Sequence, residues 1–135
     1  MIEKPQDMEK FYRERFSGSL FVIKAGGRII TDHTARKDLL NTINDFISAG
    51  IQVILIYGGG HAIDQALKEH NIPQKKQNGR RITNAESISH VQSVMSGQIA
   101  GQIMCTMAEI DLKGGICLPA LPHNWTEIEF RPRDR

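Results

Sequence analysis

Cysteine is scarce in this chain. Cys105 and Cys117 are the two among 135 residues, and they read as small buried hydrophobes, not as a redox pair. With so few thiols and no visible signal peptide, the expected compartment is a reducing cytoplasm. The five histidines and two cysteines show no tight metal-ligand spacing, so no zinc or other intrinsic metal site is expected. Long apolar runs are also missing. None approaches the ~18 residues of a membrane span, so no membrane partner is expected. A surplus of one charge is lacking too. The net charge is +2, and no basic run carries interleaved aromatics, which argues against nucleic acid as a partner. There are no internal repeats and no low-complexity linker.

What is present is an ordinary globular composition. Forty per cent of the residues are hydrophobic, a normal share for a folded domain. A chain of this length can bury a real core and is expected to form one domain.

The most informative stretch is Val53 to Asp64, VILIYGGGHAID. Its apolar, mostly β-branched run reads as a strand buried on both faces. Gly58, Gly59 and Gly60 follow at once, and then Ile63, Ala66 and Leu67 fall at helical spacing. Strand, glycine loop and helix together present backbone N–H groups and a helix N-terminus to an anion. Glycine suits such a loop because a Cβ would block close approach and because the turn can require φ > 0. A bare βα turn is the plainer explanation; three glycines leaving a buried strand favour phosphate or carboxylate. Neither GxGxxG nor GxxxxGK[ST] is present, so neither standard nucleotide fingerprint applies.

Taken in order, Met1 to Phe16 carries Met8, Phe11, Tyr12 and Phe16 at helical spacing. It reads as a short amphipathic helix that covers a domain edge, or else as an oligomer contact. Ser19 to Ile23 is the first strand and runs into Lys24-Ala25-Gly26-Gly27. A lysine at the C-terminal end of a buried strand is costly unless its ammonium meets an anion or snorkels to solvent. Beside Gly26 and Gly27, the anion reading is preferred; such a lysine could neutralise a phosphoryl group in flight. Asp32 or Thr34 caps the next helix, whose stripe is Leu39, Leu40, Ile43, Phe46 and Ile47, and Gly50 ends it. A parallel βαβ unit follows, with both glycine loops at one sheet edge, where ligands of open α/β sheets sit.

Asn78-Gly79 predicts a hairpin carrying Lys75, Lys76, Arg80 and Arg81. The two lysines read as a solvated face. Arg81, in the return strand, can clamp a carboxylate bidentately. Thr83 and Glu86 suggest a capping box, with Asn84 as the rival N-cap. A long helix is expected next, with Ile88, Val91, Met95 and Ile99 inward, bent or divided at Gly97 and Gly101, and a following stretch ended by Gly114-Gly115. Ile116 to Leu118 reads as a further strand, and Trp125 to Arg135 as an edge strand or a segment cut from a longer chain.

Four segments, VIKAGG (22–27), VILIYGGG (53–60), NGRRIT (78–83) and NAES (84–87), resemble the amino acid kinase family, and within it the acetylglutamate kinases. The resemblance runs roughly from Phe21 to Gly115. It implies an α/β fold, a three-layer αβα sandwich with a mainly parallel sheet like that of carbamate kinase. Residues 19–135 would form the N-terminal, substrate-binding lobe and residues 1–18 a helical extension, with the ATP-binding C-terminal lobe lying outside the chain. The implied reaction is phosphorylation of the γ-carboxylate of N-acetyl-L-glutamate by ATP and Mg2+, in arginine biosynthesis. By motif, Lys24 would stabilise the transferring phosphoryl group. Gly26, Gly27, Gly58, Gly59 and Gly60 would hold phosphate and substrate oxygens through backbone N–H, and Arg81 would bind the α-carboxylate. The resemblance also admits a non-catalytic regulatory or assembly module, as in acetylglutamate synthases; Lys24 favours the kinase. With half a sandwich, the chain is expected to be inactive alone and to form a homodimer over its exposed apolar surface.

Overall fold

The computed structural model describes residues 6–115 except Gly79 and Thr83. The expected strand 116–118, the tail and Cys117 lie outside these residues. Eleven residues, Gln6–Phe16, form α1. Next come β1 (Leu20–Ala25), the short α2 (Gly27–Thr31), α3 (His33–Ser48), β2 (Gln52–Tyr57) and α4 (Gly60–Glu69). A small hairpin of β3 (Lys75–Gln77) and β4 (Arg80–Ile82) leads to α5 (Ala85–Gln92), a π-helical segment (Ser93–Ile99) and α6 (Ala100–Glu109).

As the βαβ pattern predicts, β1 and β2 pair in parallel, in a register running from Leu20↔Gln52 to Ala25↔Tyr57. Inward-pointing Ile23, Val53, Leu55 and Tyr57 pack on a core built from Leu40, Ile43, Leu67, Ile99 and Ile103. The strands are not buried on both faces, contrary to the reading of VILIY. Ile54 and Ile56 are 49% and 51% exposed, and Leu20 and Val22 lie open as well. Strand alternation explains this: among the described residues the helical layer covers one face, so every second side chain meets no partner. These residues thus supply the sheet and one helical layer of the expected sandwich.

Helix ends follow local chemistry. Asp32, not Thr34, caps α3, accepting from the Ala35 N–H at 2.8 Å. Gly50 closes α3 at φ 82; its N–H donates to the Ile47 carbonyl, and that of Ile51 to Phe46, the paired bonds of a Schellman end. Asn71 (φ 55) and Asp111 (φ 53) close α4 and α6 in the same way without glycine. The helical stretch therefore stops at Asp111, before the Gly114-Gly115 pair expected to end it. The cap of α5 is Asn84, whose side chain accepts from the Ser87 N–H while Ser87 Oγ accepts from the Asn84 N–H. This replaces the Thr83–Glu86 box.

The long helix is divided, but by a wide π-helical turn, with Gly97 inside it and Gly101 in α6. Val91, Met95 and Ile99 pack inward as expected. Ser87, Val94 and Ile103 are buried as well, while Ile88, expected inward, is exposed in the first turn of α5. Cys105 is free and exposed on α6, contrary to the expectation of a buried thiol, because the inward row there is Ile103 and Thr106.

On the sheet's covered side, α1 docks through aromatic edges: Tyr12 on Phe46 at 5.7 Å and Phe16 on Phe21 at 5.5 Å. Covering an edge is thus the role the described contacts give it. One polar feature was not foreseen. Arg36 is buried between helices, its Nη1 donating to the Ile30 carbonyl at 2.6 Å and its Nε to Thr106 Oγ1 at 2.8 Å. A cation at the last carbonyls of α2 is well placed.

Candidate anion site at the paired glycine loops

The parallel register brings the two strand ends level, since Ala25 pairs with Tyr57. Each strand then opens into glycine and a helix. Gly26 is the N-cap of α2, and Gly59 the N-cap of α4. The first N–H groups of a helix have no intrahelical partner and carry the positive end of its dipole. Two such ends stand side by side here. The short α2 was not foreseen; Arg28-Ile29-Ile30 gives too few turns for a readable stripe.

The glycines divide by what surrounds them. A Cβ at Gly27 would lie 2.9 Å from the Gly58 carbonyl oxygen and 3.5 Å from Gly59 Cα. The two loops therefore approach closely, and the Gly58 N–H donates to the Ala25 carbonyl at 3.3 Å. A Cβ at Gly59 would run into Met95 Sδ and lie 2.6 Å from Ile99 Cδ1. At Gly26 and Gly60 an added Cβ meets nothing within 4 Å, and at Gly58 only the Gly27 nitrogen, at 4.0 Å. So Gly27 is required by neighbouring backbone and Gly59 is crowded by two side-chain ends, while among the described residues Gly26, Gly58 and Gly60 leave room in front of the backbone. Positive φ is not the reason for glycine: among the described glycines only Gly18 and Gly50 adopt it.

Lys24 sits one residue before Ala25, opposite Ile56 in the ladder, and is exposed. The argument that a buried lysine needs an anion therefore does not apply. What remains is position, at the C-terminal end of a strand that opens into the loops. At the neighbouring strand end, burial pushes the Tyr57 phenol up, which keeps it a neutral hydroxyl next to Gly58.

Arg81 lies on β4, in register with Lys76 of β3. The hairpin turns at Asn78 (φ 50), as expected. Its root is tied to the helix of the second loop, Gln74 Nε2 donating to the Asp64 carbonyl at 2.8 Å.

Two other features lie away from the loops. A cavity of about 360 Å³ beside β2 is lined by Leu40, Ile43, Val53, Leu55 and Met107 among others, and none of the five loop glycines reaches it. Its walls are mostly apolar, with Tyr57 and Lys113 also in the lining. On the surface, Glu109 accepts from His33 at 3.1 Å and from Lys37 at 3.5 Å; the His33 hydrogen bond foremost holds its carboxyl below the usual range. Among the described residues no three His, Cys, Asp or Glu side chains gather to hold a metal ion. No described helix is long and apolar enough to cross a membrane.

Comparison with known proteins agrees with this geometry. The profile of the amino acid kinase family matches residues 19–134. The acetylglutamate kinase of Pelobacter propionicus is 31% identical over 106 residues, covering 77% of this chain and 36% of that protein. That of Trichlorobacter lovleyi is 33% identical over 93 residues, covering 69% of this chain and 32% of its own. The chain thus spans about a third of the length of these relatives. Among solved structures, N-acetylglutamate synthase from Neisseria gonorrhoeae, complexed with coenzyme A and L-arginine, superposes with a TM-score of 0.65. That match has 21% identity and covers 86% of this chain and 27% of the synthase chain.

Proposed function

This chain belongs to the amino acid kinase family, and we propose that its paired glycine loops bind N-acetyl-L-glutamate, as the substrate-binding part of an acetylglutamate kinase-like reaction in arginine biosynthesis. The observation that carries the proposal is the close approach of the two loops, with the Gly58 N–H donating to the Ala25 carbonyl at the level ends of two parallel strands. Two helix N-termini side by side suit one small acidic molecule.

In this reading Arg81 clamps the α-carboxylate. Backbone N–H groups of Gly26, Gly27, Gly59 and Gly60 take the oxygens of the γ-carboxylate and of the group transferred to it; the Gly58 N–H already donates to the Ala25 carbonyl at 3.3 Å, so Gly58 serves by its missing side chain. Lys24 offsets charge that develops during transfer. ATP, when bound, supplies the phosphoryl group. The loops and Lys24 suit phosphate oxygens, but the described residues gather no carboxylate cluster for Mg2+, so no step through the metal is assigned to them. Charge stabilisation here comes from one side, whereas phosphoryl transfer needs it from several.

Titration calorimetry tests the site. Arg81→Ala is expected to weaken N-acetyl-L-glutamate binding by about 1.5–3 kcal/mol, the scale of a hydrogen bond to a charged group, with Lys75→Ala close to wild type. Equal losses, or none in either variant, contradict the assignment. One-sided charge stabilisation favours a second reading, a non-catalytic regulatory or assembly module. ADP release with MgATP and N-acetyl-L-glutamate separates the two. The 135-residue chain alone is expected to bind without release; release lost in Lys24→Ala supports a complete kinase site.

A further inference from the structure

The π-helical segment Ser93–Ile99 lies far along the chain from the glycine loops, yet two of its side chains end against one of them. Gly59 is buried. Its empty Cβ position is filled from outside by Met95 Sδ and Ile99 Cδ1, with Ile63 Cδ1 at 3.7 Å completing the wall. The Gly58–Gly59 backbone also lies close to Gly27, where an added Cβ would be 2.9 Å from the Gly58 carbonyl oxygen. The start of α4 is therefore close to the start of α2 and is met by side-chain ends from the π-turn. Ile99 has no exposed surface, so this wall cannot retreat without opening a void. A π-turn inside a longer helix widens the backbone locally and is frequent at functional sites. Here the widened turn carries both side chains that press on Gly59.

We infer that Met95 and Ile99 are positioning residues: their volume sets where the Gly59 N-cap stands, and through the close approach to Gly27 it sets the spacing of the two helix N-termini. The inference rests on the reading of these loops as the anion site, and it extends that reading to side chains that touch no ligand. Hydrogen-bond donors misplaced by a fraction of an ångström lose much of their effect on a bound oxyanion. The back wall should then govern affinity without contributing a contact.

The test uses the full chain, with N-acetyl-L-glutamate as probe and the amide resonances of Gly27, Gly58 and Gly60 as a readout independent of it. Met95→Ala is expected to shift the Gly27 amide, which Met95 does not touch, and to weaken binding at least about fivefold, on the scale of a 1 kcal/mol loss. Met95→Leu, which refills the space, should restore both. Ile99→Val removes the single atom Cδ1 and should give the same signature in milder form, and it serves if Met95→Ala does not fold. A Gly27 amide unmoved in both variants overturns the inference, as does a loss of affinity that Met95→Leu fails to rescue. Wild-type protein that does not bind the probe defeats the proposed ligand instead, and the Gly27 amide then decides the positioning role alone.

Discussion

At the scale of single residues, backbone conformation and buried polarity decide what a substitution costs. Gly50 combines φ 82 with a Cβ position 2.6 Å from Ser17 Oγ. Gly50→Ala is expected to lose about 1–2 kcal/mol, from the left-handed conformation alone, seen as a lower urea midpoint at unchanged slope. An unchanged midpoint would show that the turn relaxes. Arg36→Ala removes donors from the buried Ile30 carbonyl and from Thr106. A loss of about 2–3 kcal/mol is expected, and a chemical denaturation curve checks it. Gly50 was legible in the sequence because it stands directly after an amphipathic stripe. Arg36 was not. A lone arginine on a helix looks like a solvated one, and the hydroxyl that receives it is 70 positions away. Lys24 was half legible: its place before the loop is as read, but the open sheet face exposes it.

At the scale of elements, ends and phases matter most. Asn84 and Ser87 satisfy each other's backbone at the start of α5, so Asn84→Ala should cost about 1 kcal/mol and speed amide exchange in that first turn. Exchange at the wild-type rate would mean that another group caps the helix. Across α3 and α6, Glu109 has its carboxyl pKa lowered by His33 and then by Lys37. A lowered folded-state pKa gives stability above the unfolded carboxyl pKa and withdraws it as pH falls through the folded value. The small advantage of wild type over Glu109→Gln in melting temperature should therefore shrink on acidification. Salt should shrink it too, since these groups face solvent; an advantage that grows at low pH contradicts the pairing. Element type was readable from apolar spacing. The π-turn was not: Gly97 and Gly101 marked a division, but nothing local shows that the helix widens. Ile88 was misplaced because its neighbour Ser87, the partner of the Asn84 cap, takes the inward place in the first turn of α5.

At the scale of the whole molecule, the parallel pair and the level glycine loops follow from two apolar strands joined through a helical crossover, a pattern carried by local residues alone. Among the described residues nothing covers the other sheet face, so the strand reading failed there. Leu20, Val22, Ile54 and Ile56 form a contiguous apolar face of the kind that soluble chains rarely leave open. A homodimer at micromolar concentration is expected, with Ile54→Lys shifting it toward monomer in sedimentation velocity. A wild-type monomer would refute this.

The split among the loop glycines also bears on how this chain's relatives drift. Gly27 and Gly59 are held by neighbouring protein atoms, so selection for folding alone retains them. At Gly26, Gly58 and Gly60 an added Cβ would meet no described atom closer than 4.0 Å, so packing among the described residues gives selection no reason to keep them bare, whereas a ligand would. A lineage that abandons the ligand but keeps the fold should accumulate side chains at 26, 58 and 60 while 27 and 59 stay glycine. The number of glycines in such a descendant is uninformative; which ones survive tells a working site from its relic. This chain has glycine at all five positions.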